Sequence, residues 1–67
     1  MLTIYTLLIV VVEDEHGYTH DIEIARHDGD VEFSKNEIKQ LSEKFERTLH
    51  EDEILCDVFE DIKWLYY

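Results

Sequence analysis

An almost unbroken apolar run opens the chain, in segment Leu2–Val12. The run is rich in β-branched residues and falls well short of the roughly 20 residues of a membrane-spanning helix, so it predicts a buried strand. The acidic segment Glu13–Gly17 predicts a turn. Apolar and polar residues alternate in Tyr18–Arg26, which predicts a second strand with Ile22 and Ile24 on one face.

A second turn and a third strand are predicted before the chain becomes helical. The dipeptide Asp28-Gly29 is typical of a type I′ turn, in which both central residues have a positive φ. The short segment Val31–Phe33 then predicts a third strand. Three consecutive strands joined by short turns predict an antiparallel meander.

The clearest local signal is a helix start at Ser34. Ser34 and Glu37 have the S-x-x-E spacing of a capping box, in which each side chain accepts a hydrogen bond from a free backbone N–H. Phe33 and Ile38 are spaced as the hydrophobic staple that often accompanies it. Apolar residues then recur at helical spacing, at Ile38, Leu41, Phe45 and Leu49.

A second helix is predicted after the acidic break at 50–53. Its apolar stripe comprises Ile54, Leu55, Val58, Phe59 and Ile62. The tail Lys63–Tyr67 could end this helix or form a further strand, because aromatic residues favour sheets. The whole pattern predicts one α+β domain over residues 1–67, a small antiparallel β-meander (β-β-β) followed by two helices.

Charge narrows the range of partners. The 67 residues include 17 Asp and Glu against 6 Lys and Arg, for a net charge of −11. Such a charge repels nucleic acid and anionic membranes, so no direct nucleic-acid or membrane binding is expected, and a basic protein surface is favoured. The predicted first helix, Lys35–Leu49, is nearly neutral, with four basic and three acidic residues. The negative excess therefore lies outside it.

Two segments hold this excess. Glu13–Glu32 has eight acidic residues and one basic residue, and Glu51–Asp61 has six acidic residues and no basic one. A solvated surface kept for solubility is one interpretation, and an electronegative surface built for a basic groove is the other. Nine residues are predicted to contact such a groove: Glu13, Asp14, Glu15, Glu51, Asp52, Glu53, Asp57, Glu60 and Asp61.

In size, net charge and acidic clusters the chain resembles a class of small bacteriophage proteins. The clusters are Glu13-Asp14-Glu15, Glu51-Asp52-Glu53 and Glu60-Asp61. Proteins of this class inhibit host defence systems or nucleic-acid enzymes, and they include anti-CRISPR and DNA-mimic proteins. The resemblance lies in composition and carries over no functional residue. It implies an inhibitor that occupies the basic cleft of a nucleic-acid-binding host enzyme or defence complex.

The residues that could carry chemistry predict neither an enzyme nor a cofactor or metal site. No H-E-x-x-H or C-x-x-C spacing occurs, and segment Asp28–Glu32 lacks the order of a calcium loop. Ser34 lacks a G-x-S-x-G elbow and is interpreted as a helix cap. Cys56 is the only cysteine, and its acidic neighbours disfavour a reactive thiolate. A structural cysteine in a reducing cytoplasm is therefore expected.

The first predicted strand leaves a second mode of binding open. A strand that is apolar on both faces is normally covered on both faces, and two helices can cover only one. A second copy of the chain could cover the other face, giving a homodimer, or the tail Trp64–Tyr67 could fold over it. The alternative function is therefore a structural or regulatory interaction module, antitoxin-like or an obligate homodimer, which binds through this strand and the aromatic tail.

Overall fold

A computed structural model describes residues 1–66, which form a three-stranded antiparallel sheet and one helix. The elements follow the order β1 (Leu2–Glu13), β2 (Thr19–Asp28), α1 (Lys35–Glu46) and β3 (Ile54–Tyr66). Strand β1 lies in the centre and is antiparallel to both neighbours, so the sheet order is β2-β1-β3. Strands β2 and β3 are therefore parallel to each other, and α1 lies in the crossover between them.

The first two strands and the capped start of the helix are confirmed, but α1 ends at Glu46 and does not reach Leu49. Ser34 is the N-cap of α1, its Oγ accepts from the Glu37 backbone N–H at 3.1 Å, and Glu37 Oε1 accepts from the Ser34 N–H at 3.3 Å. Glu37 Oε2 also lies 3.0 Å from His27 Nε2 on β2. The Ser34 N–H, helped by His27, holds the pKa of Glu37 below its usual range. The capping box thus also ties the helix to the sheet.

The predicted third strand at Val31–Phe33 is wrong, and Asp28-Gly29 does not form a type I′ turn. Gly29 has a φ of 81°, but within residues 1–66 no residue other than glycine has a positive φ. Instead, the buried Thr6 hydroxyl of β1 donates to the Gly29 carbonyl at 2.8 Å and accepts from the Val31 N–H at 3.1 Å. The chain is held across the end of the sheet and enters α1, so it does not return as a strand.

The predicted second helix is also wrong, because Ile54–Tyr66 is strand β3. Its register on β1 shifts where Val11 pairs with Asp57 and Val12 with Leu55, which leaves Cys56 as an extra, bulged residue. Because of this bulge, Leu55 and Val58 both lie opposite buried residues on one face although they are three positions apart. The spacing that predicted a helical stripe comes partly from this bulge.

The predicted tail Lys63–Tyr67 belongs to β3 as far as Tyr66, and Tyr67 lies outside the described residues. Its aromatic residues extend the sheet, as expected of aromatics. One of the two alternatives for covering the second sheet face was the tail Trp64–Tyr67. The described residues of this tail do not cover a face, because they pair with β1 within the sheet. Trp64 lies opposite Ile4, and Tyr66 lies opposite Leu2.

The core lies between the sheet and α1. On one face of β1, Leu8, Val10 and Val12 have at most 1% of their surface exposed. Ile24 of β2 lines a surface pocket with Leu41 and Phe45 of α1, which places the helix over this face. The opposite face carries four successive odd-numbered side chains of β1 and is called the open face below: Tyr5, Leu7, Ile9 and Val11.

We expect Ser34→Ala to lower the free energy of unfolding by about 1 kcal/mol, since it removes the N-cap acceptor. Urea denaturation followed by circular dichroism measures this change. Ser42→Ala is the matched control, because the Ser42 hydroxyl bonds only within the helix, to the Lys39 carbonyl at 3.1 Å. Equal losses in the two variants would contradict the assigned cap.

Candidate binding site at the acidic end of the sheet

The loop between β1 and β2 is built on Asp14. The Asp14 N–H donates to the Tyr18 carbonyl at 2.8 Å, and the Gly17 N–H donates to the Asp14 carbonyl at 3.0 Å. Asp14 Oδ1 accepts from the His16 and Tyr18 N–H groups at 2.9 and 3.0 Å. Gly17, with a φ of 84°, supplies the left-handed residue that closes a three-residue hairpin loop. Glu15 is held at the exposed tip.

The loop before β3 is closed by its own backbone and by one acidic side chain. The Glu53 N–H donates to the His50 carbonyl at 3.0 Å, and Glu53 Oε1 accepts from the His50 N–H at 2.9 Å. Glu51 and Asp52 therefore form the exposed tip of this loop. Glu53 serves the turn as well as the surface.

The two loops meet at one end of the sheet. Glu13, the last residue of β1, pairs with Ile54, the first residue of β3. The carboxyl groups of Glu15 and Asp52, one from each loop, lie within hydrogen-bonding reach. Six of the nine predicted contact residues thus come together, and we call this group the acidic end: Glu13, Asp14, Glu15, Glu51, Asp52 and Glu53.

Electrostatics differ between the two sides of the β1–β2 loop. The hydrogen bond to Asp52, and then the negative charge of Asp52, raise the pKa of Glu15. Asp14 shows the opposite shift, because His20 Nε2 at 2.9 Å and the N–H groups of Tyr18 and His16 lower its pKa. The acidic end therefore combines a firmly ionised carboxylate with a mutually repelling pair.

The other three predicted contact residues lie away from this end. On a helix Asp57, Glu60 and Asp61 would share a face, but on β3 they divide. Asp57 and Asp61 lie opposite Val11 and Leu7 on the open face, whereas Glu60 lies opposite Leu8 on the helix side. They therefore do not form one row, because strand residues alternate between faces.

Asp57 and Asp61 have a role at the sheet edge that the sequence did not predict. Asp57 Oδ1 accepts from the Val58 N–H at 2.8 Å, and Asp61 Oδ1 accepts from the Ile62 N–H at 2.9 Å. These N–H groups already donate to side chains, so they are not available to pair with a further strand. Charged residues that blunt an edge strand in this way oppose uncontrolled strand addition.

Several residues close to these carboxylates were not predicted from the sequence to belong to the site. Asp30 and Glu32 line a shallow groove with Glu60 and the buried Thr6. Nothing in the local sequence pattern distinguishes them, because the groove forms only where the loop held by Thr6 passes β3. The histidines at positions 16 and 20 also join the acidic end, through Glu15 and Asp14.

Cys56 lies in a different setting from the one predicted. It is exposed in the bulge of β3, whereas the sequence placed it beside the apolar stripe of a helix. Its thiol donates to Glu13 Oε2 and to the Ile54 carbonyl, each at 3.7 Å. The thiol thus contacts a carboxylate, in line with the acidic neighbourhood expected from the sequence.

Comparisons add no residue roles. No protein-family model, curated protein or solved structure matches the chain. Among residues 1–66, no group of three or more His, Cys, Asp or Glu side chains is arranged to hold a metal ion. Within the same residues, no helix combines the length and apolar character needed to cross a membrane.

We expect Asp52→Asn to lower the pKa of Glu15, because it removes the carboxylate that accepts the hydrogen bond of protonated Glu15 and that repels its ionised form. Carboxyl titration by nuclear magnetic resonance measures this shift, with Glu51→Gln as the neighbouring control. A raised pKa means that folded Glu15 holds its proton more tightly than the unfolded chain does. Asp52→Asn should therefore raise the urea midpoint at pH 7, and this gain should shrink as pH falls through the pKa of Glu15. An unchanged Glu15 titration would contradict the contact.

Proposed function

We propose that this chain is an acidic binding protein that inhibits a nucleic-acid-binding host enzyme or defence complex by occupying its basic cleft with the acidic end. The observation that supports this proposal is the convergence of six carboxylates from two separate loops. A purely solubilising charge would have no need to bring Glu15 against Asp52. Spreading the same residues over the surface would give equal net charge with less repulsion.

The repulsion at the acidic end favours association with positive charge. Like charges held close together destabilise an isolated fold, and Lys or Arg side chains of a partner would relieve that cost while forming charge-assisted hydrogen bonds. The loops present their side chains ready for contact, because backbone hydrogen bonds fix both turns. A preorganised loop loses little conformational freedom on binding, which favours affinity.

A net charge of −11 also shapes the kinetics of the proposed association. Attraction between a negative end and a positive cleft speeds encounter and weakens steeply with ionic strength. The same charge disfavours direct binding of nucleic acid to this chain, so competition would take place on the partner. Double-stranded DNA and the acidic end would then displace one another from the partner's cleft.

Reversing two tip charges, with Glu15→Lys and Asp52→Lys, should abolish capture of nucleic-acid enzymes from a bacterial lysate. The control is Glu43→Lys with Glu46→Lys on the exposed side of α1, which gives the same net charge of −11 + 4 = −7. Capture should persist in this control, fall at high salt, and be displaced by added duplex DNA. Equal loss in the two variants would show that net charge, and not the acidic end, determines binding.

A second candidate function rests on the opposite end of the sheet. The cross-strand pairs Leu2–Tyr66 and Ile4–Trp64 bring apolar and aromatic side chains together there. Leu2, Trp64 and Tyr66 are 51%, 61% and 85% exposed. Exposed aromatic clusters mark interaction surfaces, so this end supports a structural or regulatory module that binds a partner through β1 and the tail.

Trp64→Ala separates the two candidate functions. If the acidic end carries binding, partner capture should be unchanged in this variant, since Trp64 lies at the far end of β3. If the aromatic end carries binding, capture should fall about tenfold or more, as expected when a central aromatic anchor is removed. Pull-down with the partner identified from the wild-type chain measures the difference. Circular dichroism of the variant confirms that the fold is retained.

A further inference from the structure

The open face of the sheet has an apolar centre that no described element covers. Helix α1 packs on the other side, and β3 lies beside β1 in the sheet. Leu7 on this face is 7% exposed, but Ile9 and Val11 remain partly exposed, and Phe59, which lies opposite Ile9, is 37% exposed. On the opposite face, which α1 covers, Leu8, Val10 and Val12 are at most 1% exposed. The open face therefore lacks an equivalent partner.

The scarce basic residues of the chain identify the kind of partner. Outside the segment Lys35–Arg47, the sequence has only two basic residues, Arg26 and Lys63. Both lie on the open face, on different strands: Arg26 opposite Leu7 and Lys63 opposite Tyr5. A purely basic partner would meet these two positive charges. The face thus suits a partner that offers both signs of charge around an apolar centre.

The charges on the open face are unevenly distributed along β1. Near Val11 they are all negative: Asp21 and Asp57 lie opposite Val11, and Glu23 lies opposite Ile9. Towards Tyr5 the two signs are mixed. That end carries Arg26, Lys63, Asp28 and Asp61. The Arg26 guanidinium lies 5.3 Å from the centre of the Tyr5 ring and its Nε lies 3.1 Å from Glu23 Oε1.

We infer that the open face pairs with the open face of a second copy, with the two β1 strands antiparallel. A two-fold axis in the interface, perpendicular to β1, places the Tyr5 end of one copy over the Val11 end of the other. Leu7 then packs over the partner's Ile9. In this arrangement Lys63 faces the partner's Asp57, and Arg26 faces the partner's Glu23.

The alternative two-fold arrangement, with the β1 strands parallel, is opposed by the acidic ends. It also forms two attractive pairs per copy, Arg26 with the partner's Asp61 and Lys63 with the partner's Asp28. However, it sets both groups of six carboxylates side by side. The antiparallel arrangement places them at opposite ends of a molecule 42 Å long, far beyond the screening length of about 8 Å at physiological salt. The one repulsive contact it adds is Asp28 against the partner's Asp21.

The size of the face determines the strength of the dimer. Three strands at about 4.8 Å spacing and some 11 residues at about 3.3 Å rise give a face of about 500 Å² per copy. Two such faces bury about 1,000 Å², which is below the roughly 1,200–2,000 Å² of stable interfaces and typical of weak, transient ones. The dimer is therefore weak and reversible. Edge pairing of β3 is a poor alternative, because Asp57 and Asp61 occupy two of its N–H groups.

A charge-swap cycle tests this dimer, with sedimentation equilibrium at about 0.15 M salt, where long-range repulsion is screened. Lys63→Asp and Asp57→Lys should each weaken association about tenfold, since each turns two attractive contacts repulsive. The double variant should restore it to within about twofold, because both contacts return with reversed sign. Residues 57 and 63 lie six positions apart on one strand, so this coupling cannot arise within one copy.

Two controls make each outcome decisive. Asp61→Ala removes the equivalent hydrogen bond to Ile62 and none of the attractive pairs of the proposed dimer, so it reports the loss of an edge cap alone. Asp21→Lys should strengthen association, because it removes the repulsive contact with the partner's Asp28. A chain that stays monomeric at every concentration overturns the inference, and so does a double variant that is not restored. Because the acidic ends remain free in the dimer, neither result decides the proposed inhibition.

Discussion

The organisation of this protein depends on a central strand that is apolar on both faces, while the described residues 1–66 supply one helix to cover it. Leu8 and Val10 are inaccessible to solvent on the helix side, whereas Ile9 and Val11 on the other side are only partly covered. Burial of apolar surface is the main favourable term in folding, and a chain of 67 residues has little of it to spare. Placing β1 between two other strands satisfies its backbone on both edges. It leaves one sheet face without a helix, the face that the inferred dimer would cover.

The carboxylates limit how such a sheet can associate. Asp57 and Asp61 occupy N–H groups on the outer strand, which opposes strand addition along that edge. Six other carboxylates gather at one end, beyond the last pair of β1 and β3, Glu13 with Ile54. The apolar centre of the open face stays free of them. The distribution of charge thus separates a surface suited to basic partners from one suited to a second copy.

Local signals in the sequence predicted the elements that depend on local interactions. The Ser34 capping box is closed by neighbours in the chain and is found where predicted. Strand β2 is also found, although its alternation breaks at Ile24, where the register on β1 shifts. Strand β3 depends on distant pairing and contains a bulge at Cys56, so its spacing resembled that of a helix. The Thr6 hydroxyl bonds to the backbone of residues 29 and 31, more than 20 positions away in the sequence. No local sequence pattern predicts such a contact.

The same distinction explains how much of the candidate site could be predicted. The acidic clusters at 13–15 and 51–53 are visible in the sequence, but their meeting follows from the pairing of β1 with β3, which a helix at 54–62 would have excluded. The loops can hold this charge because their stability comes from backbone hydrogen bonds, with Asp14 and Glu53 each closing its own turn. Those two carboxylates are therefore structural, whereas Glu15, Glu51 and Asp52 close no turn. In the proposed inhibition, these exposed tips are the part of the acidic end that meets positive charge, because contact there leaves the hydrogen bonds that close the loops in place.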